Sequence, residues 1–476
     1  MNLDYGDDHP LGIAMTALGR VYANEENGLT APSTPFAATP RALIDAATTA
    51  EERLAAYEVA TALLLKRSLR NGAASSTHSI KHRSLANQLM PSAEWLKHKG
   101  SFARAQILPK TLEAWLSGHK ATLTVQIVAL DAAITVGDLG IREDRLRIPK
   151  LKALGESREV RATRRALFGV IGAVQLPDIL VEIDARTRFS WILLGRQPAS
   201  TSELTLVYCA LLGLGTMQSA ASVSRMVAGV SDDQIEHVTH QIIASGQLRA
   251  ASDAAVHHML SHPLTRRWGS GNQASADMMS LDATRHLWNA RTEPRRGTRA
   301  IGTYSHILDQ WPIIYDQAIV LNQRQAGMAI EGVLQQQIAT LQRLAVDTRG
   351  FTHFAMGLAK LLGFDLCPRL AGFSGRKLYL PRGISVLARL EPIVERVPLS
   401  RTARKGWGGF QHIAASLQSG YGSAATIVER HGSAARGNPV NECGTPDRQS
   451  HAQRVHARLS GQSRISPRDS SSARPG

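Results

Sequence analysis

The order of short elements after Gly271 constrains this chain more than any other feature. Candidate strands at 273–281, 300–308 and 313–321 come first. A helix over 323–342 follows, then a strand at 344–346, a helix over 352–362 and a short strand element at 378–380. Everything before Gly271 has a different rhythm. Leu11, Ile13, Ala14, Leu18, Val21 and Tyr22 recur at three-and-four spacing, so residues 9–25 predict a helix. A second helix is expected over 40–70, with Leu54, Tyr57, Val59, Ala60, Leu63 and Leu64 as its apolar stripe. Trp95 with Leu96, and Trp115 with Leu116, read as anchors of later helices. Residues 121–155 hold a short strand-like piece and then a basic linker at 142–152, and helices are expected to fill 157–262. Within them Asp178 and Ser231 stand where N-caps belong.

The run of three strands, helix, strand, helix, strand matches a ribonuclease-H-like sheet, of the kind also found in retroviral integrases. In that sheet the first and fourth strands are neighbours. The expected fold is therefore a mainly α N-terminal region followed by an α/β ribonuclease-H-like catalytic domain, incomplete at its C-terminus. The expected divisions are a helical region at 1–155, a helical linker region at 156–265, the sheet domain at 266–445 and a tail at 446–476. The tail has no aromatic residue, no Lys and no Glu, so it cannot bury a core and is expected to be disordered. Its abrupt change of composition reads as a shifted frame or an interrupted gene.

The chain has 476 residues, a hydrophobic fraction of 43% and a net charge of +16. That much apolar material supports real cores, and the excess of Lys and Arg favours polyanionic partners, nucleic acid ahead of an anionic membrane. Cys209, Cys367 and Cys443 form no CxxC pair and no metal-ligand spacing, which fits a reducing cytoplasm. The acidic N-terminus lacks the apolar segment of a signal peptide, and the apolar run around 204–214 is too short to span a bilayer.

The candidate chemistry lies at two strand ends. Asp277 closes Trp268-Gly269-Ser270-Gly271-Asn272-Gln273-Ala274-Ser275-Ala276-Asp277, and Asp347 sits in Leu344-Ala345-Val346-Asp347-Thr348-Arg349-Gly350-Phe351-Thr352. Strand-borne carboxylates can hold two divalent metals for phosphodiester chemistry. Mg²⁺ suits such a site because it prefers carboxylate oxygens and keeps several waters. Arg295, Arg296 and Arg299 lie between the first two candidate strands, and Arg376 and Lys377 follow the helix after Asp347. All five are candidate DNA-phosphate contacts, which position DNA without reading its sequence. A solvated charged loop explains Arg295 and Arg296 equally well. His306 reads as structural rather than catalytic.

The wording around the aspartates resembles the Tn3 family of transposases. The Trp-Gly-x-Gly…Ser-x-Asp phrase at 268–277 is similar to one landmark of that family. Tyr304-Ser305-His306-Ile307-Leu308-Asp309-Gln310 is similar to a second, and Ile330-Glu331-Gly332-Val333-Leu334 to its helix before the second aspartate. Leu361-Leu362-Gly363-Phe364, Pro368-Arg369-Leu370 and Lys377-Leu378-Tyr379 extend the likeness. It reaches back through Leu211-Leu212-Gly213 and His262-Pro263-Leu264 to Tyr57-Glu58-Val59 and His9-Pro10-Leu11.

The resemblance implies a DDE transposase, a DNA-recombining enzyme of a bacterial transposable element. It would nick transposon ends with Mg²⁺ and join them to target DNA, working as a homodimer at the nucleoid in the cytoplasm when intact. Asp277 and Asp347 match the first two catalytic acids. The third, a Glu in a Gly-Glu helix phrase, has no match. Glu442 belongs to an earlier family segment and does not replace it. The family's terminal-repeat-binding region also lies before what this chain contains. The expectation is therefore a copy without activity. Two other classes remain open: a non-catalytic DNA-binding protein that regulates or competes with an intact transposase, and a metal nuclease without strand transfer.

Overall fold

The computed structural model describes residues 3–432 except 6–8, 24–35, 37, 72, 80–81, 85, 106–108, 150–154, 285, 322, 371, 373–375 and 398–400. The tail at 446–476, Cys443 and Glu442 lie outside the described residues.

The N-terminal part is helical, as expected, with differences in where helices break. Residues 40–70 form two helices, Ala38–Asp45 and Ala50–Asn71. The break has a visible cause: Glu52 folds back so that its carboxylate accepts from the Thr48 and Thr49 amides at 3.0 and 3.2 Å, capping the second helix. Residues 121–136, where a strand-like piece was expected, continue a long helix, Leu112–Val136 (α1). Its buried Leu112, Trp115, Leu123, Ile127 and Leu130 follow helical spacing, and Gly137 ends it at φ +90°. The basic linker instead contains a small hairpin, Gly140–Arg142 with Arg145–Arg147.

Seven helices lie between Arg158 and Ser261. Ser231 forms the expected cap, as part of a full capping box with Gln234. Asp178 does not cap. The N-cap of its helix is Gln175, Pro177 occupies the first turn, and Asp178 sits inside that turn as a favourable charge at the helix N-terminus. A carboxylate of a different residue, Asp184, is buried and holds Ser190 and Tyr208 through three hydrogen bonds. Among the described residues no single helix is long and apolar enough to cross a membrane.

The α/β part is a six-stranded mixed sheet. Its strands are Gln273–Asp282 (β1), Arg291–Thr292 (β2), Arg299–Leu308 (β3), Ile313–Ile319 (β4), Arg343–Val346 (β5) and Asp365–Pro368 (β6). The order is β6-β5-β1-β3-β2, with β4 also paired to β3. β1, β3 and β4 are antiparallel, whereas β5 and β6 run parallel to β1. The first and fourth predicted strands are thus neighbours. The last predicted strand is displaced: Leu378–Pro381 (β7) pairs with Val394–Val397 (β8) in a separate two-stranded sheet, and the unforeseen β6 takes its place.

Four helices complete this part: Gln325–Gln335 (α2), His353–Leu361 (α3), Arg401–Gln418 (α4) and Ala424–Gly432 (α5). One core joins Ala274, Ala276, Tyr304, Leu344 and Val346 of the sheet to Ile330, Phe354, Phe410 and Ile427 of these helices, and to Trp115 at the start of α1. α1 continues into a second core with Leu378, Leu380 and Leu390. It therefore belongs physically to both sheets.

Candidate active site

The pairing register brings the two aspartates together. Ala274 lies opposite Leu344, Ser275 opposite Ala345 and Ala276 opposite Val346. Asp277 continues β1 and Asp347 is the first residue past the end of β5, so the register brings their backbones to the same level of neighbouring parallel chains. Side chains alternate between faces. Ala274, Ala276, Leu344 and Val346 are buried in the core, so Asp277 stands on the opposite face, and Asp347 opens the turn that follows Val346. Asp277 is exposed and Asp347 half-buried.

The phrase after Asp347 is built to hold that strand end. One Asp347 oxygen, Oδ1, accepts from the Arg349 and Gly350 amides at 2.9 and 2.8 Å, turning the chain sharply. The Thr348 hydroxyl donates to the Arg369 carbonyl at 2.8 Å and ties the turn to the end of β6. A Cβ on Gly350 would stand 2.7 Å from Cβ of Val346, so only glycine fits. Thr352 caps α3 through the Ala355 amide at 3.0 Å. Asp277 is held more lightly, its Oδ1 accepting from the Met278 amide at 2.7 Å.

The other recognisable phrases interlock as scaffold. Asp309 accepts from the Ser270 and Gly271 amides, each at 2.9 Å, and Gln310 donates to the Gly269 carbonyl at 3.1 Å. A Cβ on Gly269 would meet Cγ of Asp309 at 2.3 Å. The Asp309–Gln310 pair thus clamps the glycine loop that feeds β1 and its Asp277. Asp309→Ala removes both carboxylate contacts and is expected to cost about 2 kcal/mol, because hydrogen bonds to charged groups are worth ~1.5–3 kcal/mol each and water replaces them only in part. Urea unfolding of the variant and parent checks this; an unchanged midpoint would show that the loop does not depend on the clamp.

His306 is structural in its contacts. Fully buried, it bonds the Ala329 carbonyl through Nε2 at 3.0 Å. Glu331 caps α5, its Oε2 accepting from the Ala424 and Ala425 amides at 2.5 and 3.3 Å.

Tyr304 was not foreseen as a site residue. It is fully buried, and its hydroxyl has no hydrogen-bond partner among the described residues. Burial, then the charges of Asp347 and Asp277, push its phenol far above the usual range, so it stays protonated. Its place in the Tyr-x-His phrase was the available signal, but nothing in sequence says that a core tyrosine reaches toward two surface carboxylates.

The basic candidates separate. Arg296 is committed: it ion-pairs with Asp282 at 3.1 Å and with Glu293 at 3.7 Å, and donates to Oγ of Ser280 at 2.8 Å. Arg299 donates to the Ala290 carbonyl at 3.3 Å. Lys377 donates to the Pro392 carbonyl at 2.5 Å, away from the aspartates in sequence but bracing β7 against the turn before β8. Arg376 lies over the Phe351 ring, 5.9 Å from its centre, which places it beside the Asp347 phrase. Arg295 is exposed.

The donor set suits a hard divalent cation in part. Both carboxylates are solvent-accessible, and among the described residues each has its hydrogen bonds on Oδ1, which leaves the other oxygen to a Mg²⁺ with its retained waters. Among the described residues no group of three or more His, Cys, Asp or Glu side chains is placed to hold a metal ion. Among the described residues the candidate site is a two-carboxylate site.

The family model described as the Tn3 transposase DDE domain matches residues 178–445. The transposase for insertion sequence element IS1071 in transposon Tn5271 of Comamonas testosteroni is 41% identical over 395 residues, covering 83% of this chain and 40% of that protein. The transposase for transposon Tn1546 of Enterococcus faecium is 24% identical over 393 residues, covering 81% of this chain and 39% of that protein. The transposase for transposon Tn501 of Pseudomonas aeruginosa is 23% identical over 389 residues, covering 80% and 39%. The chain spans about two fifths of the length of these curated relatives. With the family model covering more than half of its residues, the chain belongs to the Tn3 transposases, in their DDE domain.

Proposed function

We propose that this chain carries the two-aspartate part of a DNA strand-transfer site on a ribonuclease-H-like sheet. The observation that carries the reading is the register that pairs Ala276 with Val346, the residues just before Asp277 and Asp347. The strand order supports it: antiparallel β4, β3 and β1, then parallel β5 and β6, follow the succession expected for that fold. Asp277 and Asp347 would hold Mg²⁺, and when bound the ion supplies charge stabilisation to a phosphodiester undergoing displacement. The protein's own part is to fix both carboxylates at one level. Asp347 is fixed by its turn and Gly350, and Asp277 by the Asp309 clamp on the loop before β1. The partner is DNA, in keeping with the net charge of +16.

Strand transfer in this reading needs a third acidic ligand, and the described residues do not supply one. Alone, the 476-residue chain is proposed to bind DNA without cutting it, and so to compete with an intact transposase for its ends. The test is a supercoiled plasmid bearing paired transposon ends, incubated with the chain and Mg²⁺. Retarded plasmid with neither nicks nor joined products is the expected result. Nicking that disappears in Asp277→Ala would mean that a third ligand is supplied after all. No DNA binding at physiological salt would remove the proposed DNA-binding and strand-transfer role of this chain.

A further inference from the structure

β1 does not stop at the aspartates. It runs on from Asp277 to Asp282, paired with β3 as far as Asp282 opposite Ala300, while its other neighbour, β5, ends at Val346. Past the carboxylates the sheet therefore narrows, and β1 becomes an open edge. Five residues at ~3.3 Å each carry this edge about 17 Å beyond Asp277. Alternation keeps Met279 and Leu281 on the Asp277 face, and they are 59% and 39% exposed. The segment 283–298 joins β1 to β3 at the far end of this projection.

That segment displays Trp288, whose side chain is 82% exposed. A single surface hydrophobic is ordinary by itself. Here the turn is braced to hold it out. Leu287 and Ala290 close two successive tight turns through the Thr284 and Leu287 carbonyls. Arg291 donates to the carbonyl of Trp288 itself at 3.0 Å and to that of Ala290 at 2.9 Å, and Arg299 donates to Ala290 from the other side. Ala290 is buried beneath. Two arginines thus spend their guanidinium groups on fixing the backbone under an indole that stays largely exposed. Arg295, on the same excursion, is exposed and makes no hydrogen bond or ion pair among the described residues. A flat, exposed apolar ring on a braced turn matches an unpaired nucleobase, and the uncommitted Arg295 later in the same excursion suits a phosphate of the same strand.

We propose that Trp288 stacks on an unpaired DNA base, roughly five or more nucleotides from the phosphate held at Asp277 and Asp347, given ~3.4 Å per base along a strand. Arg295 contacts the backbone there. This rests on the DNA-strand-transfer reading above.

The test uses the full chain and two oligonucleotides of equal length and sequence, one fully paired and one with a short single-stranded gap carrying 2-aminopurine. Trp288→Ala is expected to weaken binding to the gapped DNA about tenfold and to abolish the quenching of 2-aminopurine, with little change on paired DNA. Trp288→Phe should keep most of the affinity and the quenching. Arg295→Ala should weaken binding to both DNAs alike and flatten the salt dependence. Equal affinity of the parent and Trp288→Ala for the gapped DNA, with the parent's quenching retained, overturns the Trp288 assignment and leaves the strand-transfer reading standing. Failure of the parent to bind either DNA removes both. Because Trp288 is 82% exposed, its substitution should leave the fold intact, which circular dichroism verifies.

Discussion

Gly332→Ala is expected to destabilise the sheet domain by about 2 kcal/mol or more, although alanine is the better helix former. The intrinsic preference favours alanine over glycine by ~1 kcal/mol in a helix interior. At Gly332 that gain is overwhelmed. An added Cβ would stand 2.1 Å from Cε1 of His306, and the ring is fully buried and pinned to the Ala329 carbonyl one turn earlier in α2. It has nowhere to move, and overpacking of a rigid core site costs ~3 kcal/mol. Gly408 in α4 is the internal control, because a Cβ there meets nothing within 4 Å. Gly408→Ala should raise stability by up to ~1 kcal/mol. Urea midpoints of the two variants should therefore move in opposite directions. If Gly332→Ala also stabilises, α2 does not sit on His306 at this distance.

The same contact explains why the Tyr-x-His phrase and the Ile-Glu-Gly phrase occur together. His306 faces Gly332, Ile330 is fully buried in the core, and Glu331 caps α5 from the same helix turn. A close approach, a core position and a cap fall on three consecutive residues. None of the three touches the aspartates. These phrases hold the sheet and its helices in register, and the register is what brings Asp277 and Asp347 level.

Much of this was legible beforehand, for physical reasons that differ by element. The alternation in β1 and β3 is long enough to mark both strands. The predicted adjacency of the first and fourth strands, which the register bears out, turned two isolated aspartates into a pair. β6 was not legible. Asp365-Leu366-Cys367-Pro368 has an acid at one end and a proline at the other and little β-propensity. It is a strand because β5 offers it an edge. Leu378-Tyr379-Leu380 has better strand character and was placed in the main sheet by it, but α1 draws it into a separate core.

The helix expected over 323–342 ends at Gln335 without any glycine or proline to announce it. Gln336 ends it through its side chain, accepting from the Ile338 and Ala339 amides at 2.9 Å each. In α1 the β-branched residues of 121–136 suggested a strand, and burial on a helical spacing against two cores decided otherwise. The arginines between the first two strands show the limit most plainly. Sequence can place a cluster of charge in a loop, but which guanidinium groups are already committed to carbonyls and carboxylates follows only from the turn they build.

The second large effect concerns the aspartates themselves. A hard divalent ion held by two level carboxylates loses half of its protein charge when one becomes an amide, so each single change should weaken binding at least tenfold, and the double change should abolish it. Neither side chain is part of the core, so the fold should survive both substitutions. Asp233, exposed in the first turn of the helix Asp232–Ser245, provides a remote carboxylate for comparison. The most direct measurement is a Mn²⁺ titration of the full chain, followed by electron paramagnetic resonance of the free ion, with parent, Asp277→Asn, Asp347→Asn, the double variant and Asp233→Asn. Saturable binding that falls at least tenfold in each single site variant, vanishes in the double variant and is unchanged in Asp233→Asn is the predicted outcome. Equal Mn²⁺ affinity in the folded parent and double variant would contradict the claim that Asp277 and Asp347 form one metal site.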